Sequence, residues 1–361
     1  MTMMDMTRTI RARSSRPRST LGDSIVRSRS PLRVSFSGGG TDLPHWYREH
    51  PGAVLSTTIN RHAYVTLYPR NDQKVRIRSL DLGCTVHFSV DEPPAYDGVL
   101  DLAKAVIGRL GAGLGMDLEI RSDAPPGSGL GGSSALTAAL IGAISGYRGK
   151  SFNETELAEL NFEVERIDLK IVGGKQDQYA TTYGGLNLIE FHPDRVEVSR
   201  VDVSWDVLND LESHLLLCYT GRARADLGIV ERQAKSCREG RTSTIDGLFR
   251  LYELVFEMKS AIVDGRLNDF GELLHESYLM KKRISPDLVR GTIADRLYDE
   301  ARGAGAIGGK LLGAGGGGYL LIYCETERQC EVRRALDRAG GQTLDFSFDP
   351  RGLQTWRSSS R

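Results

Sequence analysis

Apolar and polar residues alternate along 116–122 (Met-Asp-Leu-Glu-Ile-Arg-Ser), the pattern of a half-buried strand. A stretch dense in glycine and serine follows. Residues 135–147 are then small, apolar and free of proline, which predicts a buried helix. The same patterns predict strands at 31–37, 53–59 and 62–69, with a turn around Asn60-Arg61. A hairpin is predicted from 74–80 and 84–90, and a helix over 100–110. Asn153 with Glu156 three residues on is a capping-box start for a helix running to about 169. Strands near 185–191 and 195–201 come next, and the apolar run 211–219 predicts a strand that opens a second domain. Residues 223–302 carry helical periodicity. A strand at 319–324, a helix at 327–338, a strand at 342–348 and a polar, frayed tail beyond Pro350 complete the chain. Strands precede helices in the first half, so the class is α+β.

Composition narrows the functional classes. The chain has 361 residues, enough for two domains. Residues 1–28 are rich in Arg, Ser and Thr with few large apolar side chains, so they predict a disordered tail. They lack a signal peptide's apolar core and the amphipathic face of a transit peptide. The remaining boundaries are 29–205, 206–350 and a second tail, 351–361. Hydrophobic content of 40% with 26% charged residues fits a soluble globular protein. No apolar run reaches about 18 residues, so no membrane partner is expected. Lys+Arg and Asp+Glu both number 47, and seven arginines in 1–30 face only Asp5 and Asp23. The rest of the chain is therefore net acidic, which argues against a nucleic-acid groove. Five scattered cysteines without a C-x-x-C predict neither zinc knuckle nor disulfide framework, and a cytoplasmic location.

Three glycine clusters carry the candidate chemistry: 38–40, 127–132 and 313–318. In the middle one, a strand runs through Gly127, Gly129, Gly131 and Gly132 into a helix opened by Ser133 and Ser134. Unpaired helix N–H groups and the helix dipole favour an anion there, so the segment predicts a phosphate cradle. Its spacing also satisfies the dinucleotide fingerprint, but a helix follows where a second strand ending in an acid is required. A Walker A loop fails as well, because Leu311 follows Lys310 and Ala304 stands where glycine is needed.

The stretch Pro-Pro-Gly-Ser-Gly-Leu-Gly-Gly-Ser-Ser-Ala (125–135) resembles the second motif of the GHMP small-molecule kinases. Residues 33–42 resemble their first motif and 310–319 their glycine-rich third. Gly-Gly-Gly-Thr-Asp-Leu, Gly-Lys-Gln-Asp-Gln-Tyr-Ala and Gly-Gly-Lys-Leu-Leu-Gly-Ala-Gly-Gly-Gly-Gly are similar to the D-glycero-D-manno-heptose 7-phosphate kinase branch. The resemblance implies a ribosomal-protein-like N-terminal α+β domain, a ferredoxin-like C-terminal domain, and an active site between them. It implies ATP and Mg²⁺ as cofactors, a sugar phosphate as substrate, a monomer or homodimer, and phosphorylation of an anomeric hydroxyl. An unphosphorylated sugar such as fucose or galactose, or a non-catalytic sensing role, are the alternatives.

Phosphoryl transfer needs a phosphate cradle, a charge-neutralising metal and a group that accepts the hydroxyl proton. Pro126, Gly127, Ser128, Gly129, Leu130, Gly131, Gly132, Ser133 and Ser134 are the expected nucleotide cradle. Ser134 is either a helix cap or a magnesium ligand; the resemblance favours the ligand and pairs it with Glu165, with Glu163 as the nearby competitor. Asp177, in a glycine-rich loop beside Lys175, is the expected proton acceptor; the resemblance implies Arg33 as its partner or that of the reacting hydroxyl, in an electrostatic role since arginine cannot serve as a base. The resemblance implies Gly39, Gly40, Thr41 and Asp42 on the sugar, with Lys175, Gly316 and Gly317 closing the substrate side. His45 and Trp46 either line that pocket or pack in the core. Lys175 and the Lys281-Lys282-Arg283 run are the candidates for a distal phosphate.

Overall fold

Two long strands form the spine of the first half. In the computed structural model, which describes residues 24–92, 94–221, 228–285, 291–313 and 317–358, β1 (Ile25–Ser37) pairs antiparallel with β2 (Gly52–Pro69). The expected turn at Asn60-Arg61 is instead a register shift opposite Pro31 and Leu32, and the strand continues through it. Asn60 is exposed there and its N–H donates to the Ser347 carbonyl at 2.8 Å, so a bulge absorbs the turn-forming residues. Residues 24–28, expected in the tail, belong to β1 from Ile25 onward.

β2 serves two neighbours. Its second part pairs with β5 (Met116–Ser122) and its first part with β6 (Asn187–Phe191). β3 (Lys74–Ser79) lies parallel to β5, with β4 (Cys84–Ser89) at its outer side, and β7 (Val196–Arg200) flanks β6. Val65, Leu67, Ile77, Leu118 and Ile120 bury one face against α2 (Asp101–Leu110) and α3 (Gly132–Arg148). Burying such side chains is worth roughly 1.5–3 kcal/mol each before chain entropy is counted. α4 (Glu154–Phe162) starts with the complete Asn153/Glu156 capping box. Its continuation is not α-helical: Glu163–Asp168 is a π-helix.

The second half is a four-stranded antiparallel sheet of β8 (Leu215–Tyr219), β9 (Gly308–Leu311), β10 (Tyr319–Tyr323) and β11 (Gln342–Leu344), ordered β11-β8-β10-β9. This is the ferredoxin-like order. Alternation explains its two covered faces. Leu215, Leu217, Leu321 and Tyr323 pack with residues of α8 (Thr242–Val263) and α9 (Leu267–Ile284). Leu216, Cys218, Leu320 and Ile322 pack with α10 (Ile293–Gly303) and α11 (Gln329–Arg338). The expected strand 211–219 begins late, because α6 (Trp205–Ser213) occupies its start, capped by the Ser204 side chain and with Leu211 buried.

The two halves share one core, in which Leu32, Phe36 and Leu55 meet Val255, Met258 and Phe270; the Phe36 and Phe270 rings pack edge to face at 5.1 Å. The segment beyond Pro350 is not frayed over its described part. β12 (Gln354–Ser358) returns to the first sheet and pairs antiparallel with β1, Ile25 opposite Ser358 and Arg29 opposite Gln354.

Candidate active site

A cavity of about 780 Å³ opens beside the glycine loop, within the size range of small-molecule sites. The loop has positive φ at Gly127 (73°), Gly129 (82°) and Gly131 (72°), conformations in which a side chain is strained. Gly131 precedes α3, and no side chain caps that helix, so its first-turn N–H groups are unclaimed by a capping side chain. Pro126 to Gly129 and Gly131 to Ser134 line the cavity. Leu130 does not: it is buried behind the loop, and its carbonyl accepts from the Arg33 N–H at 3.0 Å.

The third glycine cluster braces this loop from the second half. A Cβ on Gly129 would lie 2.6 Å from the Leu312 carbonyl oxygen, and one on Gly313 would lie 2.7 Å from Gly129 Cα. The Tyr319 N–H donates to the Ser128 carbonyl at 3.2 Å. Backbone meets backbone here, which only glycine permits. Gly317 is buried and outside the cavity lining, and Gly316 lies outside the described residues.

Arg33 is almost wholly buried and grips Asp177 twice, Nε donating to Oδ1 at 2.8 Å and Nη2 lying 2.7 Å from the same oxygen. Its Nη1 donates to the Gly129 carbonyl at 2.6 Å, so one guanidinium joins Asp177 to the glycine loop. Asp177 lies not in a loop but in the first turn of α5 (Gln176–Tyr183), and its side chain is a quarter exposed, toward the cavity.

Glu165 and Glu163 separate cleanly. Glu163 is half-exposed and paired with Arg109 at 2.5 Å. Glu165 is buried within the π-helix, where the wider turn belongs to a class often found at functional sites. Ser133 Oγ donates to its Oε1 at 2.7 Å, Ser134 Oγ lies 3.1 Å from both oxygens, and Gln178 Nε2 donates to Oε2 at 2.5 Å. Burial pushes its carboxyl above the usual range, opposed chiefly by Arg166 and the serine hydroxyls. A hard cation suits this donor set. Magnesium takes one or two carboxylates plus hydroxyl, phosphate and water oxygens, and it would hold Glu165 ionised.

From the first glycine cluster, Gly39, Gly40 and Asp42 line the cavity. Asp42 is buried and accepts from the Gly40 N–H at 2.9 Å and the Gln176 N–H at 3.3 Å. Burial, with the nearby Asp177 charge adding to it, pushes its carboxyl up. Several candidate ligands turn elsewhere. Thr41 is fully buried, its hydroxyl bound to the Gly38 and Ala53 carbonyls and to the Ala53 N–H, so it fixes the turn. Lys175 donates to Glu159 at 2.7 Å and lies over the Phe162 ring. Trp46, in α1 (Pro44–Tyr47), is core, and His45 is absent from the lining. Lys282 pairs with Asp295 at 2.6 Å, whereas Lys281 lines the cavity.

Three further neighbours are not singled out by the sequence: Gln176 and Lys310 lie inside the matched motifs without an assigned role, and Gln233 lies outside them. Gln176 and Gln233 both reach the cavity, and buried Lys310 lines a small recess beside it with Arg33 and Lys281. Only the chain's path across the two halves brings them together.

Comparison with known proteins agrees with this geometry. Residues 98–185 match the model of the GHMP kinases N terminal domain and residues 258–342 that of the GHMP kinases C terminal domain. The chain is 33% identical over 338 residues to the D-glycero-alpha-D-manno-heptose 7-phosphate kinase of Campylobacter jejuni, covering 92% of this chain and 99% of that protein. It is 27% identical to the bifunctional fucokinase/GDP-fucose pyrophosphorylase of Arabidopsis thaliana, over 85% of this chain and 30% of that one. A crystal structure of a D-glycero-D-manno-heptose 1-phosphate kinase from Bacteriodes thetaiotaomicron superposes with a TM-score of 0.79 at 29% identity, covering 93% of this chain and 100% of that one. Lactococcus lactis galactokinase, at 22% identity and a TM-score of 0.75 over 91% and 95% of the two chains, shares the fold. No helix among the described residues is long and apolar enough to cross a membrane. The paired domain matches, the near-complete alignment with the Campylobacter enzyme and the Arg33–Asp177 pair beside a glycine cradle lead to one conclusion: the chain belongs to the GHMP kinase family, and is a phosphotransferase.

Proposed function

We propose that the protein transfers the γ-phosphoryl group of ATP to the anomeric hydroxyl of D-glycero-D-manno-heptose 7-phosphate, giving the 1,7-bisphosphate, a step toward nucleotide-activated heptose. The observation that carries the reading is the Arg33–Asp177 pair, held against the phosphate loop through Gly129 and open to the cavity; the substrate follows from the relative that aligns over 92% of the chain. Asp177 accepts the proton of the attacking hydroxyl as its oxygen bonds to the γ-phosphorus. The bond to the β-phosphate oxygen breaks and ADP leaves with that electron pair. Arg33 orients the carboxylate and offsets charge on the reacting oxygen. Glu165 and Ser134 would hold Mg²⁺, which would neutralise charge on the transferring phosphates. Ser128 and the first turn of α3 cradle the nucleotide phosphates, and Gly39, Gly40 and Asp42 face the sugar.

A second reading, an unphosphorylated sugar as acceptor, is favoured by the fucokinase relatives, whose alignments cover 85% and 93% of this chain. Turnover assays with ATP against heptose 7-phosphate, fucose and galactose separate the two. The heptose phosphate is expected to give a kcat/KM at least about a hundredfold above the free sugars, the margin a site built for the extra polar group provides; turnover of free sugars alone would overturn the proposal.

A further inference from the structure

Three polar atoms are stranded at one end of the cavity system. Gln233 Nε2, Gln176 Oε1 and Ser35 Oγ are buried and have no hydrogen-bond partner. Gln233 and Gln176 line the main cavity, and Gln176 and Ser35 line the recess of about 20 Å³ that adjoins it. A buried donor or acceptor left unpaired is costly, and such groups persist where something outside the protein satisfies them.

The surroundings show how they came to be there. Gln233 belongs to α7 (Ile229–Arg238), in the second half of the chain, yet it reaches the Gly38–Asp42 turn of the first half. Gly40 makes room for it: with φ at +109°, a Cβ on Gly40 would lie 2.5 Å from Gln233 Nε2. Gln176 approaches the same turn at Gly39, where a Cβ would lie 3.6 Å from its Nε2. Its backbone N–H is held by Asp42, and it is the residue before Asp177, so its position is tied to the reacting centre. The two amides flank the Gly39-Gly40 backbone, presenting one unpaired donor and one unpaired acceptor.

We propose that Gln233 and Gln176 form a clamp that reads neighbouring hydroxyls of the acceptor sugar, Gln233 donating to one oxygen and Gln176 accepting from the O–H of another, with Ser35 serving a small polar group in the recess. Amides suit this task. They carry no charge, so they offer an anionic group no ion pair, while a vicinal diol offers both the acceptor and the donor they lack. A site built around a substrate hydroxyl rejects the analogue lacking it, because its own buried groups are then left unpaired. The clamp sets which sugar is used. It rests on the kinase reading above but not on the heptose phosphate in particular.

The test uses the full chain with Gln233→Leu and Gln176→Leu, and Gln233→Asn in case the leucine variant fails to fold. Steady-state kinetics are measured with D-glycero-D-manno-heptose 7-phosphate and with analogues lacking single hydroxyls. The expected result is a rise of about 10- to 100-fold in the sugar KM with the ATP KM within about twofold, the range for an unpaired buried group. At least one deoxy analogue, discriminated against by the wild type, should be used by the variant about as well as the parent sugar. Unchanged discrimination, or KM values for ATP and sugar that rise together, would overturn the clamp. If the wild type turns over another aldose instead, the same comparison on that aldose decides the clamp, and only the heptose phosphate assignment is lost.

Discussion

Replacing Asp177 by Asn changes one atom type and tests the centre of the mechanism. Asparagine keeps an oxygen for Arg33 Nε, and Arg33 stays anchored through the Gly129 carbonyl at 2.6 Å and its backbone bond to Leu130. The geometry should therefore survive. Breaking a fully buried ion pair costs about 3–5 kcal/mol, but the Asp177 side chain is 25% exposed and the replacement still accepts. A stability loss of about 1–2 kcal/mol is the expectation, read as a lower midpoint in urea unfolding. The chemical loss is larger. A positioned general base contributes about 10²- to 10⁴-fold, equivalent to roughly 3–5 kcal/mol of barrier. ADP release followed by a coupled assay should fall by that factor, while an ATP analogue binds within about threefold of wild type. Turnover within about tenfold of wild type would refute proton transfer to Asp177, and lost nucleotide binding would mean the variant had disturbed the cradle.

Glu165→Gln should raise the Mg²⁺ concentration needed for half-maximal rate by about tenfold or more, measured at fixed ATP; an unchanged requirement would remove Glu165 from the metal. Because burial raises the Glu165 carboxyl, the cation-free protein has this stabilising contribution in full below the ordinary value of 4.5 and loses it as pH climbs through the raised value. Urea midpoints without Mg²⁺ should show that decline, and the Glu165→Gln variant should flatten it. Lys310 has the opposite sign. Burial, with Lys281 and Arg33 adding, drives its ammonium well below 10.5, so its contribution is complete above that pH and is lost as pH falls toward the depressed value. Lys310→Met should make the neutral-pH protein more stable and remove a slope of up to about 1.4 kcal/mol per pH unit; an unaltered slope would place the titration elsewhere. Gly129→Ala combines a left-handed φ of 82° with a Cβ 2.6 Å from the Leu312 oxygen, so a loss of about 2–4 kcal/mol is expected from strain and overpacking. Calorimetry showing a loss below about 1 kcal/mol would mean that the brace yields freely.

The glycine clusters could be read from sequence because each depends on a residue type that has no substitute at positive φ or at a backbone-to-backbone contact. Asp177, Arg33 and Glu165 came from the family resemblance, and the fold brings them around one cavity. What stayed hidden depends on long-range geometry. A π-helix turns Glu165 inward and leaves Glu163 to Arg109, a choice that the shared Glu-x-Glu pattern does not encode. Thr41 and Lys175 sit in the expected segments, yet local partners claim them: the Ala53 backbone and Glu159. Gln233 lies on a helix whose periodicity says nothing of the turn it reaches. β12 is short, mostly exposed and polar, and only the open side of β1 makes it a strand.

That last pairing has a consequence for synthesis. β1 and β2 emerge from the ribosome early, but the partner for Ile25 to Arg29 is nearly the last described segment to be made. At roughly 5–20 residues per second, the outer side of the first strand waits on the order of 15–60 s for its neighbour. During that interval it offers unpaired N–H and C=O groups to any other nascent chain. Arg27 and Arg29 stand on this stretch, Arg27 exposed even in the finished fold, and their charges discourage a wrong strand from docking. The guard against misassembly is thus written into the first strand, long before the segment that finally covers it exists.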